Sequence, residues 1–298
     1  MSMDVSLNSQ YQIDIERDTC TRCGRCVTTC PRKLIVHKED DVPVVGDLSL
    51  CIACAHCVAV CEPEALRHSA VPRGGGAPLA GEFALTDGQL EQFLRRRRSI
   101  RRFKSAPVEP DKLDRLFDIA RYAPTGKNRQ GVHHTVVTGE RILRLEAATA
   151  AFYRKLVSRL DSAVGRALVR LVVGRKGLDE LIWGSPDLRR DAASAERGEP
   201  TYCHGAPVVV VVHGEPSSTM HEDCSYATYH LVLASETLGL GTCFIGYITA
   251  AAGRHRAVRE AVELPAAHQV YSTVAIGYPA EKFVRLVPRQ PAKVRHLG

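Results

Sequence analysis

The chain has 298 residues, of which 45% are apolar and 24% charged, with a formal net charge of +7 and eleven cysteines. This composition suits one or two folded domains and excludes a low-complexity or collagen-like chain. No run of 18 apolar residues occurs, and the first residues, MSMDVSLNSQYQIDIERD, have neither a basic start nor an apolar stretch. The expectation is therefore a cytoplasmic protein with reduced thiols and no membrane contact.

Eight of the eleven cysteines fall in two short runs, CTRCGRCVTTCP from Cys20 and CIACAHCVAVCEP from Cys51. Both read C-x2-C-x2-C-x3-C, and Cys20, Cys23, Cys26 and Cys30 recur 31 residues later as Cys51, Cys54, Cys57 and Cys61. Structural zinc takes four ligands in two separated pairs, and disulfide frameworks belong to oxidising compartments, so neither fits. Three thiolates with two-residue gaps can wrap one corner of a [4Fe–4S] cubane, while the fourth turns towards the other half. The expected ligand sets are Cys20, Cys23, Cys26 and Cys61 for the first cluster, and Cys51, Cys54, Cys57 and Cys30 for the second. Over residues 11–68 the chain resembles bacterial two-cluster ferredoxins. One departure is Glu62 after Cys61, which puts the expected proline one place late, at Pro63. Cys203, Cys224 and Cys243 read as small buried hydrophobes.

The stretch SAVPRGGGAPLAGEFALT reads as a linker over 69–84, separating a 1–68 domain from an 85–298 domain. Residues 1–68 carry 7 Lys and Arg against 10 Asp and Glu, a net −3, which leaves +10 on the rest. Two oxidised clusters would take the first domain to about −7. An acidic electron carrier beside a basic body suits electrostatic docking.

In the second domain, Thr86 and Asp87 cap a helix whose apolar residues are Leu90, Phe93 and Leu94. RRRRSIRRF follows. An arginine run first suggests nucleic acid. Alternate residues 97, 99 and 101 of an extended segment share one face, however, and two guanidiniums with a hydroxyl suit a single phosphate. No nucleic-acid partner is expected. PDKLDRLFDIARYA at 110–123 reads as a helix that Pro124 stops. A polar loop, APTGKNRQG, and a strand, HHTVV, come next. Residues 150–200 read as a long, basic, partly helical segment. There Trp183 reads as a buried anchor, and Tyr153, Arg154, Arg189 and Arg190 as a solvated face. APVVVVVHG at 206–214 is a central strand, Asp223–Leu238 a buried helix, and QVYSTVAIGYP at 269–279 another strand. His213, His221 and His230 have no metal-ligand spacing.

RRSIRRF, APTGKNRQ, LASETLGLGTCFIGY and PRQP, in that order over about 87–298, resemble the FMN-dependent nitroreductase family, in the arrangement that places a two-cluster ferredoxin ahead of it. The resemblance implies an α+β fold with a nitroreductase-like mixed sheet and flanking helices. It implies that Arg97, Ser99 and Arg101 grip the FMN phosphate, with Arg289 joining from the C-terminal arm and Arg98 near the flavin. Pro124, Thr125, Gly126 and Asn128 would contact the ring or ribityl chain, reaching over from the other subunit of a homodimer. Ile245 and Gly246 would bring a backbone N–H towards flavin N5. The loop departs from the family where Gly131 and Val132 follow Gln130.

The function implied is electron flow from a low-potential donor, a ferredoxin-like protein or a reductase, through two [4Fe–4S] clusters to FMN. The final recipient would be a small organic acceptor such as a nitroaromatic or quinone. Electron transfer or redox sensing without turnover, and reductive dehalogenation, are the other readings. No side chain is singled out as a catalytic acid or nucleophile. The substrate and direct use of NAD(P)H stay open.

Overall fold

The structure, a computed structural model, describes residues 11–39, 41–71 and 85–298. The 69–84 linker thus lies mostly outside the described residues. The chain separates into two compact units. One holds residues up to 84 together with Thr125–Gln130, and the other holds Leu85–Pro124 and Gly131–Gly298.

The smaller unit repeats a short motif twice. Strand β1 (Ile13–Ile15) pairs antiparallel with β4 (Leu66–His68), and β2 (Ile35–Val36) with β3 (Val44–Val45). Helices α1 (Arg25–Thr29) and α2 (His56–Ala59) each follow a left-handed residue, Gly24 and Ala55. The repeat extends to the backbone. Positive φ recurs at Arg22 and Ala53, at Gly24 and Ala55, and at Lys33 and Glu64, each pair 31 residues apart. Only one of these six is glycine, so the turns are imposed against the ordinary preference of L-residues. A small core of Ile35, Cys57 and Leu66 lies between the strands and helices.

In the larger unit, α3 (Asp87–Arg96) starts on a complete capping box. Thr86 accepts from Gln89 N–H, and the Gln89 side chain accepts from Thr86 N–H. Helix α4 (Pro110–Ala120) begins with Pro110 at N1 and buries Leu116 and Ala120. Strand β5 (His133–Thr138), the hairpin α5 (Glu140–Leu160) and α6 (Ala163–Glu196), and strand β6 (Val208–Gly214) follow. Then come α7 (Met220–Thr237), β7 (Gly241–Phe244), α8 (Gly246–Ala252), α9 (Arg256–Ala261) and β8 (Gln269–Gly277).

The sheet order is β5-β6-β8-β7, and every neighbouring pair is antiparallel. Among the described residues its parallel component is one bridge, between Ser99 and Thr242. Every residue of β6 is buried because helices cover both faces. Val209 and Val211 point into a core shared with α5, α6, α8 and α9, while Val208, Val210 and Val212 point into one shared with α4 and α7. Period-two alternation thus splits one valine run between two cores. Cys203, Cys224 and Cys243 are buried in these cores, as expected of small hydrophobes.

The α5–α6 hairpin corrects two expectations. Trp183 is 86% exposed rather than an anchor, because that side of α6 finds no apolar cover within the described chain. Tyr153 is buried, and its hydroxyl donates to the Tyr247 carbonyl at 2.9 Å. Arg154, Arg189 and Arg190 do face solvent, paired with Glu196, with Asp161, and with Asp187 and Asp191. Among the described residues no helix is long and apolar enough to cross a membrane.

Candidate redox sites

Two cavities in the smaller unit are each lined by four cysteines. One takes Cys20, Cys23, Cys26 and Cys61, and the other takes Cys30, Cys51, Cys54 and Cys57. Each therefore draws three thiols from one run and the fourth from the other. All eight are free of disulfides. Among the described residues no three His, Cys, Asp or Glu side chains converge as they would on a single ion. The cysteines instead line two separate spaces. Burial raises the thiols of Cys26 and Cys51 and pushes Cys57 up to about 11. Because the thiolate is the ligand, metal binding there would release those protons. Donors are already in place around the second cavity: Leu34 N–H lies 3.4 Å from Cys30 Sγ, and Ala53 N–H 3.4 Å from Cys51 Sγ.

Thr125–Gln130 groups with this unit. Lys127, Asn128 and Gln130 all have positive φ, and Gln130 N–H closes the loop onto Thr125 Oγ1 at 3.0 Å. The Asn128 amide donates to the carbonyls of Ala53 at 2.9 Å and Ile52 at 3.3 Å, which leaves its Oδ1 as an acceptor. Pro124 is exposed beyond the end of α4.

In the larger unit, the segment after α3 lies along the start of β7. Ile100 N–H donates to Thr242 O at 2.9 Å, and Phe103 bridges Pro279. This approach needs glycine at 241, where a Cβ would sit 2.5 Å from Ile100 Cγ1 and 2.9 Å from Pro279 Cγ. Along this segment Arg98 and Ile100 are buried while Arg97, Ser99 and Arg101 are more open, the alternation of an extended chain. Arg98 turns inward and is 9% exposed. Its Nη1 donates to the carbonyls of Arg95 and Arg97, each at 2.7 Å, but Nε and Nη2 are buried with no partner. A buried guanidinium with two unmet donors calls for an anion or a carbonyl-rich ligand.

The Phe244–Tyr247 turn presents its two amides unequally. Ile245 N–H is committed to Thr273 O at 2.8 Å, and the Ile245 side chain is buried. Gly246 is exposed, and a Cβ there would meet nothing within 4 Å. Of the two, Gly246 is the one whose N–H can meet a flat ring closely. Arg289 lies exposed in a C-terminal segment without regular structure.

Several groups escape a sequence reading because their partners are far apart in the chain. Glu146, on α5, is buried and accepts from Tyr202 N–H at 3.0 Å and Cys203 N–H at 2.6 Å. Burial holds its carboxyl above the usual range despite those bonds. Tyr153, Tyr202 and Tyr247 form an aromatic cluster, and the buried Tyr202 hydroxyl has no partner. His213 Nδ1 lies 2.8 Å from His268 Nδ1, and burial holds His213 down at about 4. His68 touches Cys51. The 31-residue repeat does not signal this contact, because it pairs His68 with His37, which makes no hydrogen bond to a cysteine among the described residues.

Comparisons with known proteins agree with both units. Residues 12–62 match the 4Fe-4S dicluster domain and residues 94–278 the nitroreductase family. An Archaeoglobus fulgidus protein assigned as an NADH dehydrogenase/NAD(P)H nitroreductase is 22% identical over 186 residues, 62% of this chain and 83% of that one. A Bacteroides fragilis nitroreductase solved with bound FMN superposes with a TM-score of 0.52 at 23% identity, covering 69% of this chain and 95% of its own. One from Desulfitobacterium hafniense, also with FMN, gives 0.51 at 21% identity, covering 71% and 100%. More than half of the chain, from Leu94 to Tyr278, thus carries the nitroreductase pattern in sequence and fold, and the protein belongs to the nitroreductase family, with a 4Fe-4S dicluster domain ahead of it.

Proposed function

We propose that the protein is an FMN- and iron–sulfur-dependent oxidoreductase that takes single electrons from a low-potential donor and delivers them in pairs to an oxidised organic acceptor. A nitroaromatic or quinone is the acceptor class. The observation that carries this reading is the presence, in one chain, of two four-cysteine cavities and a nitroreductase domain with an unmet buried guanidinium. When bound, the clusters supply one-electron steps, and the flavin, stable in one- and two-electron states, joins those steps to two-electron chemistry.

The residues fit these groups. The eight cysteines supply two complete thiolate sets, already divided three and one. Arg97, Ser99 and Arg101 would hold the FMN phosphate by charge-assisted hydrogen bonds, and Arg289 would join them from the C-terminal segment. Arg98 would turn Nε and Nη2 to the ring's polar edge, because they have no other partner. Gly246 would offer its N–H to the ring. Pro124, Thr125, Gly126 and Asn128 would line the ring or ribityl chain of the second copy in a homodimer. The donor would be a ferredoxin-like protein or a reductase acting in the cytoplasm.

Anaerobic purification, with iron, sulfide and flavin counts and spectra during titration with dithionite and then NADH, tests the cofactors and the donor. Mixing the reduced protein with a nitroaromatic tests the acceptor. Flavin reoxidation faster than in buffer controls is expected. Reoxidation no faster than controls would instead favour an electron-transfer or sensing role.

A further inference from the structure

His68 ends β4, where it pairs with Ile13 of β1. It is 4% exposed and lines the cavity of Cys30, Cys51, Cys54 and Cys57. Its Nε2 lies 3.3 Å from Cys51 Sγ, and its Nδ1 lies 3.0 Å from the backbone N–H of Ala70. The second contact fixes the tautomer. A backbone N–H can only donate, so Nδ1 presents a lone pair, and the proton of the neutral ring sits on Nε2. That N–H points at the sulfur. The Tyr11 ring packs beside the imidazole with centroids 5.3 Å apart, which adds to its fixed orientation.

The first half of the repeat lacks this bond. The counterpart of Cys51 is Cys20, and the counterpart of His68 is His37. His37 is exposed, and its Nε2 lies 3.0 Å from where a Cβ on Gly24 would stand. Among the described residues it makes no hydrogen bond to a cysteine. The first set has a different side-chain donor, the Thr21 hydroxyl on Cys23, and the residue that corresponds to Thr21 in the second half is Ile52.

We propose that His68 is a positioning residue that raises the reduction potential of the second centre, by donating its Nε2–H to the Cys51 thiolate. The proposal rests on the reading that both cavities hold [4Fe–4S] clusters. A donor aimed at a ligating sulfur favours the more negative state, so it favours the reduced cluster over the oxidised one. Once loaded, that centre would be the easier to reduce for the presence of His68; the electron would come from the low-potential one-electron donor, with no bond changed and no proton moved.

The test uses the full-length holoprotein, labelled with 15N in the histidine ring only and poised with dithionite. Pulsed EPR is expected to show ring-15N coupling to one reduced cluster. His68→Leu should abolish it, and His37→Leu should retain it. In a parallel redox titration, His68→Leu should lower one cluster's reduced-to-oxidised ratio about tenfold at fixed potential, equivalent to about 59 mV for a one-electron couple. His68→Gln, which keeps a donor, should recover part of that shift, and His37→Leu should leave both clusters unmoved. Iron and sulfide counts short of two clusters in the wild type would overturn the cluster reading itself. Full counts with no ring-15N coupling in the wild type would overturn only the role of His68, and so would unchanged potentials in His68→Leu. The wild-type coupling needs no variant, so it decides the matter even if His68→Leu fails to assemble.

Discussion

Replacing Gly241 by alanine tests how the Arg97–Arg101 segment is held. The new Cβ would stand 2.5 Å from Ile100 Cγ1, 3.0 Å from Ile100 Cβ and 2.9 Å from Pro279 Cγ. Carbon atoms in contact sit about 3.5–4.0 Å apart, so Ile100 must retreat by about 1 Å. It cannot retreat alone. Ile100 is 7% exposed, its N–H is bonded to Thr242 O, and its neighbour Ser99 forms the bridge to the same residue. Overpacking of this kind costs about 1–3 kcal/mol. At about 2–4 °C per kcal/mol for a domain of this size, the melting temperature should fall by about 2–12 °C. Moving Arg97, Ser99 and Arg101 with Ile100 should lose at least one charge-assisted hydrogen bond to FMN. That is about 1.5–3 kcal/mol, or roughly ten- to hundredfold in Kd. Calorimetry and fluorescence titration of the apoprotein with FMN measure both quantities. Gly88→Ala is the control. A Cβ at 88 meets nothing within 4 Å inside α3, so it should stabilise by about 0.5–1 kcal/mol and leave FMN affinity unchanged. If Gly241→Ala melts lower but binds FMN as tightly as the wild type, the phosphate is not held by this segment. If neither quantity changes, the close approach at Gly241 is not what fixes it.

Three further outcomes are expected. Arg98→Met, which keeps the buried volume but removes the unmet donors, should weaken FMN binding about ten- to hundredfold by fluorescence titration; unaltered binding would mean that Nε and Nη2 have another purpose. Glu146→Gln should change how stability depends on pH. Burial raises the folded pKa of Glu146 above its ordinary 4.5, so the wild type loses stability as the pH rises from about 4.5 through that folded value. The variant lacks this loss, so the stability difference, wild type minus variant, should fall over that window in denaturant titrations, and a flat difference would count against the buried carboxylate. Cys61→Ser should remove about half of the iron, because it deprives the Cys20, Cys23 and Cys26 set of its fourth thiol. Retention of all the iron would show that the fourth ligands are not exchanged.

Much of this arrangement is legible in the sequence wherever a local rule and the final environment agree. The Thr86-x-x-Gln89 capping box announces α3, Pro110 opens α4, and an unbroken valine run can only be a strand covered on both sides. The 31-residue repeat carries the cysteines, and in the structure it carries the left-handed turns as well. Long-range partners are not legible. Glu146 meets Tyr202 and Cys203 across 56 and 57 positions, so nothing near it in sequence marks it as a buried acceptor. Trp183 misled because a lone tryptophan is usually anchored, whereas α6 turns that side outward. Tyr153 misled in the opposite direction, since Arg154 and Lys155 follow it in sequence while the helix points it inward. The inequality of Ile245 and Gly246 depends on which amide β8 has already claimed, and only the three-dimensional fold decides that.

The left-handed turns have a consequence for the protein's biogenesis. Arg22, Lys33, Ala53, Ala55 and Glu64 all carry a Cβ in a conformation that disfavours one, at about 1–2 kcal/mol each. Together that is about 5–10 kcal/mol, comparable to the whole stability of a small domain. The modest core around Ile35, Cys57 and Leu66 is poorly matched to such a load. Iron delivery would then be the event that shapes this part of the polypeptide. A cell short of iron would make chains whose first 70 or so residues stay open to proteases, so metal supply would govern how much of the protein survives as well as how much is active.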